Sequence, residues 1–508
     1  MRRLLKIFTG RLVIIMPLVV LQVTALILFL AHNKYYDTVI AVINVISIIL
    51  VIYEINRLGD SSYKIAWIIL LLGVPLVGVP LYLLSANKKM PKKLENGTIQ
   101  ASSGMHGLLK QDDAVVKKRE TEDPNAVNVL RYGSNTCGFP VYQNTKSTYF
   151  ESGEAWYEDF IKELKKAKKF IFMEFFIIDQ GEVWSEVLKV LEAKVKEGVE
   201  VNIIYDDFGS ITLPWHYDRK LRKMGINAYR FNPIRPAFII QMNNRSHRKI
   251  VVIDNEIAYT GGINLADEYA AKIKRFGYWR DSAIKLEGDA VWPMTVMFLG
   301  MYSYVSGAKE ELDYEKYKST RHIENSEGFY QPFSDTPTDE EDVAFNMHMN
   351  MIKQAKKYVY INTPYLIPNE TLKNTLVLAA KSGVDVRILT PHIPDKWIVF
   401  LMTRGNYQKL LKAGVKIYEY TPGFNHTKDI IVDDELAIIG SINVDYRSYF
   451  LHFENAVMLY KSDSIYKARD SFLNALKESK EISLADNSKT NVVVRLLQAL
   501  LNVFIPLV

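Results

Sequence analysis

The distribution of apolar and polar positions divides the chain into a membrane-seeking start and a long soluble remainder. Residues 12–31 form an uncharged run of twenty, enough to cross the hydrocarbon core of a bilayer. Residues 38–53 form a second, slightly shorter one, and residues 65–86 a third. Gly73, Pro75, Gly78 and Pro80 interrupt the third run, which therefore reads as either a kinked span or a re-entrant hairpin. Arg2, Arg3, Lys6 and Arg11 precede the first run; Lys88, Lys89, Lys92 and Lys93 follow the third. Two spans plus one re-entrant segment put both basic clusters, and the soluble part, on the cytoplasmic side.

Beyond a polar linker at 91–130 the period changes. Residues 155–168 carry Trp156, Phe160, Ile161 and Leu164 on one helical face, and 170–178 reads as a strand. Helix 182–196, strand 199–205, helix 217–224 and strand 227–231 continue the alternation, which predicts an α/β sandwich. A charged stretch, 305–342, reads as an exposed connection, and then the pattern repeats. Ala355 to Tyr360 echoes Ala167 to Phe172, and Gly414 to Tyr420 echoes Gly225 to Phe231. The first half carries ten additional residues just before residue 247; this loop, 232–245, contains Phe238, Ile239 and Ile240 and is read as a membrane-dipping, substrate-covering or packed segment. The predicted organisation is an anchor at 1–90, linker 91–130, first half 131–310, connection 311–342, second half 343–480 and an apolar tail 481–508. Within the tail, 491–508 reads as an interfacial amphipathic helix or a helix docked on the domain.

Each half contains one H-x-K-x-x-x-x-D pattern followed by Gly-x-x-Asn. His247, Lys249, Asp254, Gly261 and Asn264 recur as His426, Lys428, Asp433, Gly440 and Asn443, all at an offset of 179. Five matched positions at one spacing are hard to produce by chance. Residues two apart on a strand share a face, so each His projects with its Lys. Asp254-Asn255 and Asp433-Asp434 read as turns a strand length away, so these aspartates brace the site by hydrogen bonds. Brought together about a pseudo-twofold axis, the halves supply two His, two Lys and two Asn. That set suits phosphodiester transfer without a metal. A neutral imidazole attacks phosphorus, and a protonated one donates to the departing alkoxide. Lys249, Lys428, Asn264 and Asn443 face the non-bridging oxygens. A nucleophilic imidazole needs its second nitrogen held. Asp281 is expected to orient His247, and Glu454 to orient His426.

Composition narrows the alternatives. A net charge of +6 over 508 residues suits an anionic membrane surface and argues against a nucleic-acid groove. The single cysteine, Cys137, excludes an intrachain disulfide and a Cys-based metal site. No metal-ligand motif or phosphate-cradling glycine loop is present, so neither a metal nor another cofactor is expected. His32, His106, His216, His322, His348, His392 and His452 read as surface or packing residues.

The doubled motif resembles the phospholipase D superfamily. Tyr205 to Ser210, Gly261 to Tyr269, Thr363 to Pro368 and Gly440 to Ser448 resemble bacterial cardiolipin synthases more closely, as does the order of membrane segments before two catalytic halves. The resemblance implies two fused phospholipase D-like α/β sandwich halves preceded by N-terminal transmembrane helices, multi-pass in the bacterial plasma membrane. It implies transfer of a phosphatidyl group between two phosphatidylglycerols through a phosphohistidine, giving cardiolipin and glycerol. A hydrolytic phospholipase D is the alternative. Partners would be phosphatidylglycerol and membrane lipids, with no nucleic acid. By the same resemblance His247 is the nucleophile and His426 the general acid. Family members often carry a His two residues after the Asp of Trp279-Arg280-Asp281; here that position is Ala283.

Overall fold

The computed structural model describes residues 36–57, 60–85, 107–112, 114–117, 127–234, 243–307, 313–319, 323, 326–339, 341–488 and 490–504. The first apolar run and most of the 232–245 loop, with Phe238, Ile239 and Ile240, lie outside them. Among the described residues one helix, Asp37–Asn56, is long and apolar enough to cross a bilayer. The third apolar run is not one continuous helix. It forms two short helices, Ser61–Gly73 and Pro75–Ser85. A Cβ on Gly78 would lie 2.4 Å from the Leu70 carbonyl oxygen, so the second helix folds back on the first. In a continuous helix positions eight apart lie about 12 Å apart. Ser47 Oγ donates to Leu71 O (2.7 Å) and Tyr82 donates to the buried Glu54, so the long helix and the hairpin hold together through polar contacts.

The first half builds a sheet from β1 (Thr145–Phe150), β2 (Phe170–Phe175), β3 (Glu200–Asp206), β4 (Asn227–Phe231), β5 (Ile250–Ile253), β6 (Ile257–Gly261) and β8 (Ala283–Gly288), with β7 (Tyr278–Arg280) outside it. Its order is β1-β8-β6-β5-β2-β3-β4. The second half uses β9 (Phe329–Asp335), β10 (Tyr358–Asn362), β11 (Asp385–Pro391), β12 (Lys416–Tyr420), β14 (Asp429–Val432), β15 (Leu436–Gly440), β16 (Glu454–Tyr460) and β17 (Ser479–Ile482). Its order is β17-β12-β11-β10-β14-β15-β16-β9. The remaining strand, β13 (Gly423–Asn425), pairs in parallel with β7 and so joins the halves.

Strand alternation decides which core each side chain enters. On β2, Ile171, Met173 and Phe175 pack with Trp156, Phe160 and Trp184 of the outer helices. Phe170 and Phe172 point the other way, into a core shared with Ile388, Ile430 and Ile438 of the second half. The helix Val291–Ser306 lies in that shared core and is buried nearly all round over its first three turns. The 305–342 segment is not wholly an exposed connection. It contains β9, buried along its whole length and paired with β16, because Phe329, Tyr330 and Phe333 complete the shared core.

The hairpin in each motif closes on a turn with two left-handed residues, Asp254 and Asn255 (φ 55° and 53°) or Asp433 and Asp434 (φ 56° and 63°). Short polar side chains tolerate that conformation. The Asp254 carboxylate accepts the backbone N–H of Lys168, Lys169 and Phe170 at 2.7–2.8 Å. Asp433 accepts those of Lys356, Lys357 and Tyr358 at 2.6–2.9 Å. Each motif aspartate thus fixes its hairpin to the start of the adjacent central strand. Asp254→Ala strands three amides in a largely buried turn and is expected to cost about 2–3 kcal/mol, read as a lowered midpoint of thermal unfolding.

Candidate active site

The two histidine segments are completed by strands from the opposite half. Ser246 bridges Phe453; His247 N–H donates to Phe453 O (2.9 Å), and Phe453 N–H donates to Arg245 O (2.9 Å). On the other side Asn425 stands opposite Arg280, and His426 N–H donates to Arg280 O (2.7 Å). One residue beyond each backbone contact is a carboxylate. His247 Nδ1–H donates to Glu454 Oε1 (2.9 Å) and Oε2 (3.0 Å), and His426 Nδ1–H donates to Asp281 Oδ2 (2.6 Å). The carboxylates are those singled out in the sequence, but the pairing is crossed. Asp281 holds His426, not His247, and Glu454 holds His247, not His426. The reason is the backbone pairing: each carboxylate strand runs beside the histidine segment of the other half.

Neighbouring residues make room for this crossing. A Cβ on Gly262 would lie 2.0 Å from Asp281 Oδ1, so the second Gly of Gly261-Gly262 leaves space for the carboxylate. Asp281 Oδ1 also accepts Ser282 N–H (2.9 Å), and Ser441 Oγ donates to Glu454 Oε2. Ser282 Oγ donates to Asp429 (2.9 Å), while Asn455 accepts Lys249 N–H (3.1 Å) and donates to Thr260 (2.8 Å). Arg280, from the first half, is buried in the second. Its guanidinium donates to Asn362 (3.1 Å), Asn425 (2.8 Å), Thr427 (3.1 Å) and Ser471 (2.9 Å).

The site is closed by aromatic rings and charged from within. Phe176 packs on His247 (ring centroids 5.1 Å), and Trp279, Tyr269 and Phe424 surround His426 (5.2, 5.4 and 5.8 Å). Burial, reinforced by the ammonium groups of Lys249 and Lys428, holds both imidazoles well below the usual histidine range. Burial pushes Lys249 down to about 7 and Lys428 down to about 8, against the pull of Glu454 and Asp281. Burial pushes Asp281 up to about 6, opposed first by Lys428. With each Nδ1–H engaged, Nε2 is the nitrogen left for chemistry, and the rings favour their neutral form. Lys249 Nζ donates to His247 O (2.7 Å), and Lys428 does the same to His426 O.

The structure therefore brings His247, Lys249, His426, Lys428, Asp281 and Glu454 together as one buried cluster, close enough for the charges of Lys428 and His426 to act on His247 and for that of Lys249 to act on His426. Asn264 lies beside it. Its Oδ1 accepts Ile177 N–H (3.0 Å) and its amide donates to Tyr269 (2.8 Å), whose ring faces His426. Asn443 N–H donates to Ser448 Oγ (3.2 Å), and its side-chain oxygen is buried without a hydrogen-bond partner among the described residues. Asp254 and Asp433 stand at the far end of β5 and β14 and take no part in the pocket.

Comparison with known proteins agrees with this architecture. The family described as "Cardiolipin synthase, PLD-like domain" matches residues 160–273 and 349–476, and "Phospholipase D-nuclease N-terminal" matches 40–86. A cardiolipin synthase of Geobacillus kaustophilus is 34% identical over 91% of this chain and 92% of its own. The chain belongs to the cardiolipin synthase family. Cardiolipin synthase 2 of Staphylococcus epidermidis is 32% identical over 92% of this chain and 96% of its own. The crystal structure of phosphatidylserine synthase from Haemophilus influenzae shares the fold, with a TM-score of 0.55 and 16% identity over 74% of this chain and 97% of that one.

In this member of the cardiolipin synthase family one histidine read as a packing residue stands at the site. His452 is largely buried (side chain 10% exposed), its ring 5.6 Å from that of His247, with Nδ1 3.7 Å from Glu454 Oε1. His452 lies in the bend just before β16, where the sequence shows no strand or helix period that would have marked it. His348, by contrast, packs where expected, bonded to Tyr449 OH (2.9 Å). Arg280 was also missed, although it adjoins Asp281. Removing either crossed carboxylate, by Glu454→Gln or Asp281→Asn, is expected to lower kcat about 10²–10⁴-fold with little change in KM. Steady-state kinetics on the purified protein check this.

Proposed function

We propose that the chain is a membrane-bound phosphatidyltransferase that makes cardiolipin and glycerol from two phosphatidylglycerols. The observation that carries the reading is the pair of buried imidazoles, each held at Nδ1 by the other half's carboxylate, with two ammonium groups in the same pocket. His247 Nε2 attacks the phosphorus of the first phosphatidylglycerol, and the phosphorus–oxygen bond to the head-group glycerol breaks. His426, protonated, gives its proton to that oxygen, and glycerol leaves. The phosphatidyl group is then bound to His247. A hydroxyl of the second phosphatidylglycerol attacks it; His426 takes the hydroxyl proton, the phosphorus–nitrogen bond breaks and cardiolipin forms. Lys249 and Lys428 neutralise the non-bridging oxygens as charge builds on them, with Asn264 and Asn443 as further amide donors. A phosphodiester brings a negative charge among the buried groups and so favours protonation of one ring. Asp254 and Asp433 support the site from the hairpin turns. The helix Asp37–Asn56 anchors the enzyme in the plasma membrane, with the hairpin at 61–85 embedded beside it.

Purified protein incubated with phosphatidylglycerol is expected to yield cardiolipin and glycerol. Phosphatidic acid as the main product would instead mark a hydrolase. His247→Ala and His426→Ala should each abolish turnover, and a denaturation-resistant phosphatidyl adduct should disappear with His247→Ala. Because the lysines act as cations and carry their charge only below pKa values of about 7 and about 8, kcat/KM should fall as pH rises through that window. Unperturbed lysines would move the fall to about pH 10. A pH–rate profile distinguishes the two.

A further inference from the structure

We infer that the C-terminal helix and the edge of the helix Trp397–Gly405 form a second membrane contact, which seats the mouth of the site on the bilayer surface. This rests on the lipid-transferase reading above. The helix Val492–Phe504 docks on two elements, the Trp397–Gly405 helix and the Ser61–Gly73 arm of the hairpin. Gly405 allows the first contact: a Cβ there would lie 2.9 Å from Asn502 Nδ2 and 3.3 Å from Gln498 Cβ. Gln498 faces inward and is buried. The opposite face is apolar and open, with Val492, Leu496 (60% exposed) and Leu500 unburied. Trp397 (58% exposed) and Ile398 are open on the helix it docks against, and Ile65, Ile69 and Leu72 on the hairpin arm.

The occupant of this surface is a phospholipid bilayer, because the apolar face is continuous with the bilayer-crossing segment. Asp37–Asn56 packs on the hairpin, the hairpin arm on the C-terminal helix, and that helix on the one starting at Trp397. A helix with one apolar and one inward-facing side, held against a membrane anchor, lies along the interface. Trp favours the interfacial depth. The surface also ends at the site. Lys396, one residue before Trp397, is close enough for its charge to act on both His247 and His426. Its ammonium stands 5.4 Å from the Tyr365 ring centre, Tyr365 packs on Phe424, and Phe424 on His426. A lipid whose head group leaves the bilayer beside Trp397 therefore meets a cation and then the paired imidazoles, without its acyl chains leaving the membrane.

The test compares two forms of one substrate on the intact, purified chain. With Leu496→Glu plus Leu500→Glu, activity on phosphatidylglycerol vesicles is expected to fall at least about tenfold. Activity on monomeric short-chain phosphatidylglycerol should stay within about twofold. Unchanged activity on both overturns the inference. A second measurement decides if the double variant loses both activities through misfolding. Tryptophan fluorescence of the intact chain in vesicles should contain a component quenched by lipids brominated near the head group, and Trp397→Phe should remove it. Equal quenching in both proteins overturns the inference. Absence of cardiolipin from the intact chain with either substrate overturns the transferase reading instead and leaves the quenching result to stand on its own.

Discussion

The hydrogen bond from each site histidine to a carboxylate of the other half is the constraint on which the rest depends. Among the described residues each of these histidines takes its carboxylate from the opposite half, His247 from Glu454 and His426 from Asp281. The interface between the halves is built to keep these two bonds in register. Phe453 and Arg280 take the histidine amides, Asn455 and Ser282 tie the flanking strands, and Arg280 anchors its strand inside the partner half. Gly262 is free of a side chain so that Asp281 has somewhere to stand.

Six ionisable groups buried together set the electrical character of the pocket. Desolvation disfavours every charge, and it moves the imidazoles and ammonium groups down and Asp281 up. An arrangement of this kind is costly to hold unless each charge has a partner, which accounts for the density of hydrogen bonds around it. It also places several groups near neutrality, where a modest change in local charge moves a proton. An anionic phosphodiester supplies that change.

Much of this was legible in the residues, and what was not has identifiable causes. The constant offset between His247 and His426 revealed the duplication, and the i, i+2 spacing put His and Lys together. The turn read at Asp254-Asn255 closes the hairpin that the structure contains, between the β-branched run Ile250–Ile253 and the strand Ile257–Gly261. Crossing left no trace in the sequence. Asp281 follows His247 and Glu454 follows His426, so chain proximity favoured self-pairing, whereas the strand pairing that decides the matter joins residues 207 positions apart on one side and 145 on the other. The helix Val291–Ser306 escaped notice because it is apolar on nearly all sides and so shows no amphipathic period. Strand β9 was obscured by the charged residues on either side of it. The third apolar run was ambiguous between a kinked span and a hairpin, and the contact of Gly78 with the Leu70 carbonyl decides for the hairpin.

The crossed pairing also bears on why the two halves share one polypeptide. Either half on its own would carry an imidazole without its acceptor and a carboxylate without its donor, and would have to find a second copy to complete both. Fusion replaces that encounter with a permanent local concentration set by the connecting segment. Assembly of the pocket then no longer depends on how many copies of the protein the membrane holds.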